Sequence, residues 1–140
     1  MEKKFIWTSE YSVHVAELDE QHQEFINICN GLLELTENGS FTNEEALIKV
    51  MKLGDYASYH LATEEEFFIK TNYPDSASHI VAHDLFREKA KEFINEIRDK
   101  NYDIKISIKN MAEFTANWLL EHIKHVDQKY SNYFNQHEIK

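Results

Sequence analysis

Eight of the 140 residues are histidine, and their spacing points to placement rather than scatter. His79-x-x-x-His83 sets two imidazoles one helical turn apart on a single face. His60-x-x-x-Glu64 does the same for an imidazole and a carboxylate. His22 and His122 fall on the apolar stripes of two further segments. One buried histidine is satisfied by a single hydrogen bond. Five on the inward faces of different helices are costly unless something gathers them. Neutral imidazole suits iron, zinc and copper, and a carboxylate can bridge two metals.

Asp127 is harder to place. It follows His122 by five residues, about 140° around an ideal helix. To reach the same site it must approach from the flank, or the helix must loosen locally, as in a π-type turn. With Asp127 included, the imidazole nitrogens and carboxylate oxygens fill all but about three positions of two six-coordinate ions. A shared oxo or hydroxo bridge takes one position on each ion. The position left open is where a small ligand binds.

Four amphipathic segments must carry these side chains. The first should start near Leu18, with Asp19 and Glu20 beside its positive end, and follow Leu18, His22, Phe25, Cys29, Leu32 and Thr36 to a stop at Asn38 or Gly39. The second opens on Thr42-Asn43-Glu44-Glu45, a capping-box pattern. Its stripe is Ala46, Val50, Leu53, Ala57, His60, Glu64 and Phe67 or Phe68, and it breaks before Pro74. The third begins about Ser76 and presents His79, His83, Phe86, Ala90, Phe93 and Ile97. After a connection through Asp99–Asp103, the fourth carries Ile108, Met111, Thr115, Trp118, His122 and Val126, and should run to about Phe134.

The expected fold is therefore all-α: an up-down-up-down four-helix bundle over 18–134, preceded by an extended arm over 1–17 whose Phe5, Trp7, Tyr11, Val13 and Val15 need cover. Gly occurs only 3 times and Pro once, which suits long helices and short turns. The chain reads as one domain over 1–140.

The net charge of −10 argues against nucleic acid and anionic membranes as partners. There is no apolar run long enough to span a bilayer and no signal-peptide segment after Lys3-Lys4. The single cysteine, Cys29, fits a reducing compartment and reads as a core thiol. The expected location is the cytoplasm. His14, His125 and His137 read as surface residues.

Several strings together resemble the hemerythrin family, in particular its bacterial single-domain members. They are Trp7, Tyr11-Ser12-Val13, Leu18-Asp19-Glu20-Gln21-His22, His60-x-x-x-Glu64-Glu65, Tyr73-Pro74, His79-x-x-x-His83 and Trp118-Leu119-x-x-His122-Ile123-x-x-x-Asp127. The resemblance covers nearly the whole chain. It implies a non-haem di-iron centre with His79, His83 and His122 on one iron and His22 and His60 on the other. Glu64 and Asp127 would bridge, together with an oxo or hydroxo group. The two-histidine iron would hold the open position, and the centre would bind dioxygen reversibly for storage, transport or delivery, without being an enzyme.

Phe25, Leu61, Trp118, Leu119 and Ile123 are the expected walls of the dioxygen pocket. Gln21 and nearby carboxylates are expected to orient ligand imidazoles, and Tyr130, one turn after Asp127, to hydrogen-bond near the site. The sequence departs from the family pattern at His14, where a small residue such as Gly is common, at Leu61, where Phe is usual, and at Phe68, where Met is often found. Two readings compete. One is a module that senses oxygen, nitric oxide or iron through a partner. The other is a di-iron oxidase or peroxidase, although no histidine here has Glu three residues before it. A structural zinc bundle is the bland alternative. The chain is expected to be monomeric or weakly homo-oligomeric, with an oxygen-consuming enzyme as a candidate partner.

Overall fold

The computed structural model describes residues 5–99 and 101–140. The first four residues of the expected arm and Lys100 of the third connection lie outside that range. Among the described residues there are helices and no strands. The long helices are α1 (Ala16–Asn38), α2 (Asn43–Thr71), α3 (Ser76–Arg98) and α4 (Ile104–His125); a short α5 (Ser131–Gln136) follows. Each long helix packs against two neighbours, α1 and α3 both lying between α2 and α4. This is the four-helix bundle that the stripes predict. Among the described residues, no helix is long and apolar enough to cross a membrane.

The ends follow local chemistry. Thr42 caps α2: its hydroxyl accepts from Glu45 N at 3.1 Å, and Glu45 Oε1 accepts from Thr42 N at 2.8 Å. Gly39 closes α1 at φ 70°, a left-handed conformation that glycine adopts without steric cost. Asn72 takes the same role after α2 at φ 54°, so that helix stops two residues ahead of the proline.

The first helix begins at Ala16, two residues before the expected start, and Val15 supplies it no side-chain cap. The first turn is instead tied to the arm. Asp19 in the first turn accepts from Ser12 Oγ at 2.6 Å and from Val13 N at 2.9 Å. Among the described residues, the arm has a 3-10 turn at Ser9–Tyr11 and a left-handed bend at His14. It buries Val13 and Val15 and is tied down by a reciprocal pair, Phe5 N to Asn30 Oδ1 and Asn30 Nδ2 to Phe5 O.

One expectation fails. The fourth helix does not continue to Phe134. It ends at His125, Val126 leaves helical geometry at φ −120° and ψ −56°, and a 3-10 turn over Asp127–Tyr130 leads into α5. The core stripes are otherwise buried as expected, except that Ala90, Phe93, Trp118 and Val126 are only half covered, and Phe68 rather than Phe67 is the inward residue.

His14, exposed, sits at φ 60°. Left-handed backbone costs a residue with a Cβ about 1 kcal/mol, partly offset in glycine by its larger unfolded-state entropy. His14→Gly should therefore raise stability by about 0.5 kcal/mol, and the β-branched His14→Val should lower it by about 1 kcal/mol. Denaturant midpoints of the three proteins check this; a destabilised glycine variant would contradict it.

Candidate metal centre

The expected ligands come from all four long helices and the turn after the last. His22 is on α1, His60 and Glu64 on α2, His79 and His83 on α3, His122 on α4, and Asp127 opens the 3-10 turn. All seven are buried, with Glu64, His22, His83 and Asp127 fully so. They form two overlapping sets of ligand atoms. Glu64, His79, His83, His122 and Asp127 make one, and His22, His60, Glu64 and Asp127 make the other.

The two carboxylates join the sets by dividing their oxygens between them. Glu64 Oε2 faces His22 Nε2 at 3.5 Å and His60 Nε2 at 3.4 Å, while Oε1 faces His83 Nε2 at 3.1 Å and His79 Nε2 at 3.6 Å. Asp127 Oδ2 faces His22 Nε2 at 3.2 Å, while Oδ1 faces His79 at 2.9 Å and His122 at 3.0 Å. The break at Val126 makes this possible. It tightens the backbone into a 3-10 turn, rather than the looser π-type turn that the spacing allows, and aims Asp127 inward.

The donor set fits metal ions. Neighbouring ligands on an octahedral ion with bonds of about 2.1 Å lie about 3.0 Å apart. His79 Nε2, His122 Nε2 and Asp127 Oδ1 are mutually 2.9–3.0 Å apart. Two imidazole nitrogens converging on one carboxylate oxygen cannot all be hydrogen-bonded to one another. His22 Nε2, His83 Nε2, Glu64 Oε1 and both Asp127 oxygens are buried without a hydrogen-bond partner, a costly state unless a cation accepts their lone pairs.

The outer atoms of the rings fix which nitrogen is free. Gln21 Oε1 accepts from His60 Nδ1 at 2.8 Å, and the same amide donates to Thr63 Oγ1 at 3.3 Å. Glu65 Oε2 accepts from His83 Nδ1 at 2.7 Å, and Arg87 holds Glu65 with two nitrogens at 2.9 and 3.0 Å. Carbonyl and carboxylate oxygens only accept, so each Nδ1 carries the proton and each Nε2 lone pair points inward. Tyr130 donates to Glu64 Oε2 at 2.6 Å.

Gln21 and Tyr130 thus stand where the sequence suggests. The carboxylate expected behind an imidazole is Glu65, on His83; sequence reasoning does not reach Arg87 behind it, although Arg87 lies one turn beyond His83, which is the available signal. His14, His125 and His137 are exposed and outside the cluster. Cys29 is fully buried, and burial pushes its thiol up to about 12.

Electrostatics act in the same direction. Burial alone would neutralise the carboxylates. The imidazoles of His60, His22 and His79 outweigh it and hold Glu64 well below the usual carboxylate range. Asp127 is pushed up by burial and by Glu64, yet His122 and His22 hold it low. Burial keeps His60 neutral by lowering its pKa. Burial also opposes charge on His22 and His79, but Asp127 and Glu64 prevail and raise both to about 9. Burial and the two carboxylates push the Tyr130 hydroxyl far up, so it remains a donor.

Of the expected pocket residues, Leu61, Leu119, Ile123 and Phe25 are fully or almost fully buried. Phe25 packs edge-on to His60, with ring centroids 5.9 Å apart. Trp118 instead stacks on His122, on the three-histidine side, at 4.3 Å. Phe86, not singled out from sequence as a wall, links the two, 4.4 Å from Trp118 and 6.5 Å from Phe25. A surface groove of about 730 Å³ beside Leu47, Ile48, Met51, Tyr56 and Tyr59 is lined by none of the seven ligand-type residues.

The family model described as "Hemerythrin HHE cation binding domain" matches residues 13–134. A bacteriohemerythrin of Clostridium acetobutylicum is 28% identical over 128 residues, spanning 90% of this chain and 98% of that protein. One of the hemerythrin subunits of Sipunculus nudus is 31% identical over 128 residues, spanning 91% and 92%. A crystal structure of wild-type hemerythrin superposes with a TM-score of 0.82 at 24% identity, over 91% of this chain and 95% of that one, a likeness of fold.

In the metal-free protein at pH 7, His22 and His79 each hold a proton, since their pKa values stand at about 9. A metal needs those nitrogens bare. Loading zinc or ferrous iron in weakly buffered solution should therefore release protons, and affinity should fall as pH is lowered from 9. Uptake with no proton release and no pH dependence would contradict this electrostatic account.

Proposed function

The chain belongs to the hemerythrin family, and from that premise we propose that its buried cluster holds two iron ions and binds dioxygen reversibly. The observation that carries this reading is the sharing of Glu64 and Asp127 by both sets of ligand atoms. A single-ion site has no use for two carboxylates that each turn one oxygen away from it. His79, His83 and His122 would hold one iron, and His22 and His60 the other. The iron pair, when bound, supplies the electrons and the vacant coordination position that dioxygen needs.

The chain's own residues supply the rest. Glu64 and Asp127 balance the metal charge in a place water does not reach. The hydrogen bonds to Gln21 and Glu65 stop His60 and His83 from rotating out of alignment. Tyr130 fixes the plane of the Glu64 carboxylate. The seven-residue set has five neutral donors and only two anionic ones, a balance that favours holding dioxygen over building up strongly oxidising iron.

Phe25 against His60, Leu61 next to His60 in the chain, and Leu119 and Ile123 within a turn of His122 exclude water and outside reductants, with Trp118 covering His122. Leu61 leaves more room beside His60 than a phenylalanine would. Trp118, the half-buried member of the group, is where the wall is thinnest.

Three measurements test the reading. Iron-loaded, anaerobically reduced protein should gain a visible absorption band in air and lose it under argon, with two irons per chain. A colourless protein, or a band that argon cannot remove, would overturn reversible binding. His60→Ala should retain about one iron per chain and Asp127→Ala close to none, because Asp127 serves both ions; equal losses would refute the bridging role. Leu119→Ser should hasten permanent bleaching in air, and an unchanged bleaching rate would remove Leu119 from the wall.

A further inference from the structure

One surface groove has a ligand-side wall as its floor. It lies between α2 and α3, has a volume of about 230 Å³, and is lined by Gly54, Ala57, Leu61, Phe86, Ala90 and Ile94 among others. A water molecule occupies about 30 Å³ in the liquid, so the groove has room for several diatomic molecules. Its floor is Leu61 and Phe86, exposed by only 1% and 3%. Leu61 follows His60 in the chain. Phe86 touches Phe25, which in turn packs on His60. By these contacts, two apolar side chains in series, Phe86 and Phe25, separate the groove from His60 on the two-histidine side of the cluster.

The residues around it keep it open. Gly54 and Ala57 on α2 and Ala90 on α3 are small, and a Cβ on Gly54 would already meet Ile94 Cδ1 at 3.5 Å. Three charged residues, Asp55, Arg87 and Lys91, stand among its lining, and Arg87 is held by Glu65 and Asp84, with nitrogen–oxygen distances of 2.9 Å to each. Another groove comes nearer, within one side chain of His60, through Gln21. That one is bordered by Glu17, Glu20 and Glu24 and closed by a hydrogen-bonded amide. An apolar gas partitions into the first in preference to the second.

We propose that the α2–α3 groove is the access port for dioxygen, with Leu61 and Phe86 as its inner gate. This rests on the dioxygen-binding reading above. A gate differs from a binding contact in its kinetics. Narrowing a route slows arrival and departure alike and leaves the equilibrium affinity unchanged, whereas altering a contact changes the ratio of the two rates.

The test uses iron-loaded full-length protein. Ala90→Phe, at the half-buried mouth, should slow association and dissociation of dioxygen several-fold by the same factor. Phe86→Leu should speed both. Independently, xenon-pressurised crystals of the zinc-loaded wild type should show xenon in the groove against Leu61 and Phe86. Rates insensitive to both variants, or xenon found only on the Gln21 side, would overturn the port while leaving dioxygen binding intact. A wild type with no air-dependent band would instead show that the underlying reading has failed, and the port with it. If Phe86→Leu does not fold, the Ala90→Phe rates and the xenon positions decide.

Discussion

Two ionised carboxylates, Glu64 and Asp127, lie fully buried and side by side at the centre of the bundle. Placing one such charge in a protein interior is costly, and two that repel each other cost more. The fold can bear this only by surrounding them with cations. Imidazolium protons provide a partial answer in the metal-free chain, which is why His22 and His79 titrate far above a free histidine. The metal pair proposed above would be the complete answer, because it would also take up the nitrogen and oxygen lone pairs that have no hydrogen-bond partner. Burial, ligand spacing and electrostatics all follow from this one pairing.

The rest of the architecture serves it. Four helices are needed because each face admits only one or two ligands, and α2 and α3 contribute pairs one turn apart. The interruption after His125 surrenders helical hydrogen bonds so that Asp127 can turn inward, and the same segment brings Tyr130 against Glu64. Farther out, Gln21 and the Arg87-backed Glu65 hold the imidazoles from behind. The arm closes the top of α1 through Asp19 and places Val13 and Val15 in the core. Stability and ligand geometry are thus supplied together by the ligand-type residues and by supports close to them in sequence, with Gln21 beside His22, Glu65 beside Glu64 and Tyr130 three residues after Asp127.

Much of this is legible in the sequence, for identifiable reasons. The i, i+4 spacing in His60–Glu64 and His79–His83 survives folding unchanged because both pairs sit in mid-helix. Thr42, Gly39 and Asn72 act through local geometry, and local geometry is what a sequence displays most directly. The end of the fourth helix is hidden because the apolar rhythm continues through Tyr130 and Phe134 on the far side of the break. Periodicity does not report a change from α to 3-10 winding. The Arg87 contact behind Glu65 joins residues on two helices, and Arg87 looks like an ordinary solvated residue. Phe86 reads as core; its position between Phe25 and Trp118 depends on how α3 is rotated against its neighbours.

The bridging of two ions by Glu64 and Asp127 is the central claim, and anomalous X-ray diffraction at the iron edge tests it most directly. Crystals of the iron-loaded protein should give two peaks about 3.5–4 Å apart, with each carboxylate spanning both. A lone peak, or a pair in which each ion keeps a carboxylate to itself, would contradict the account.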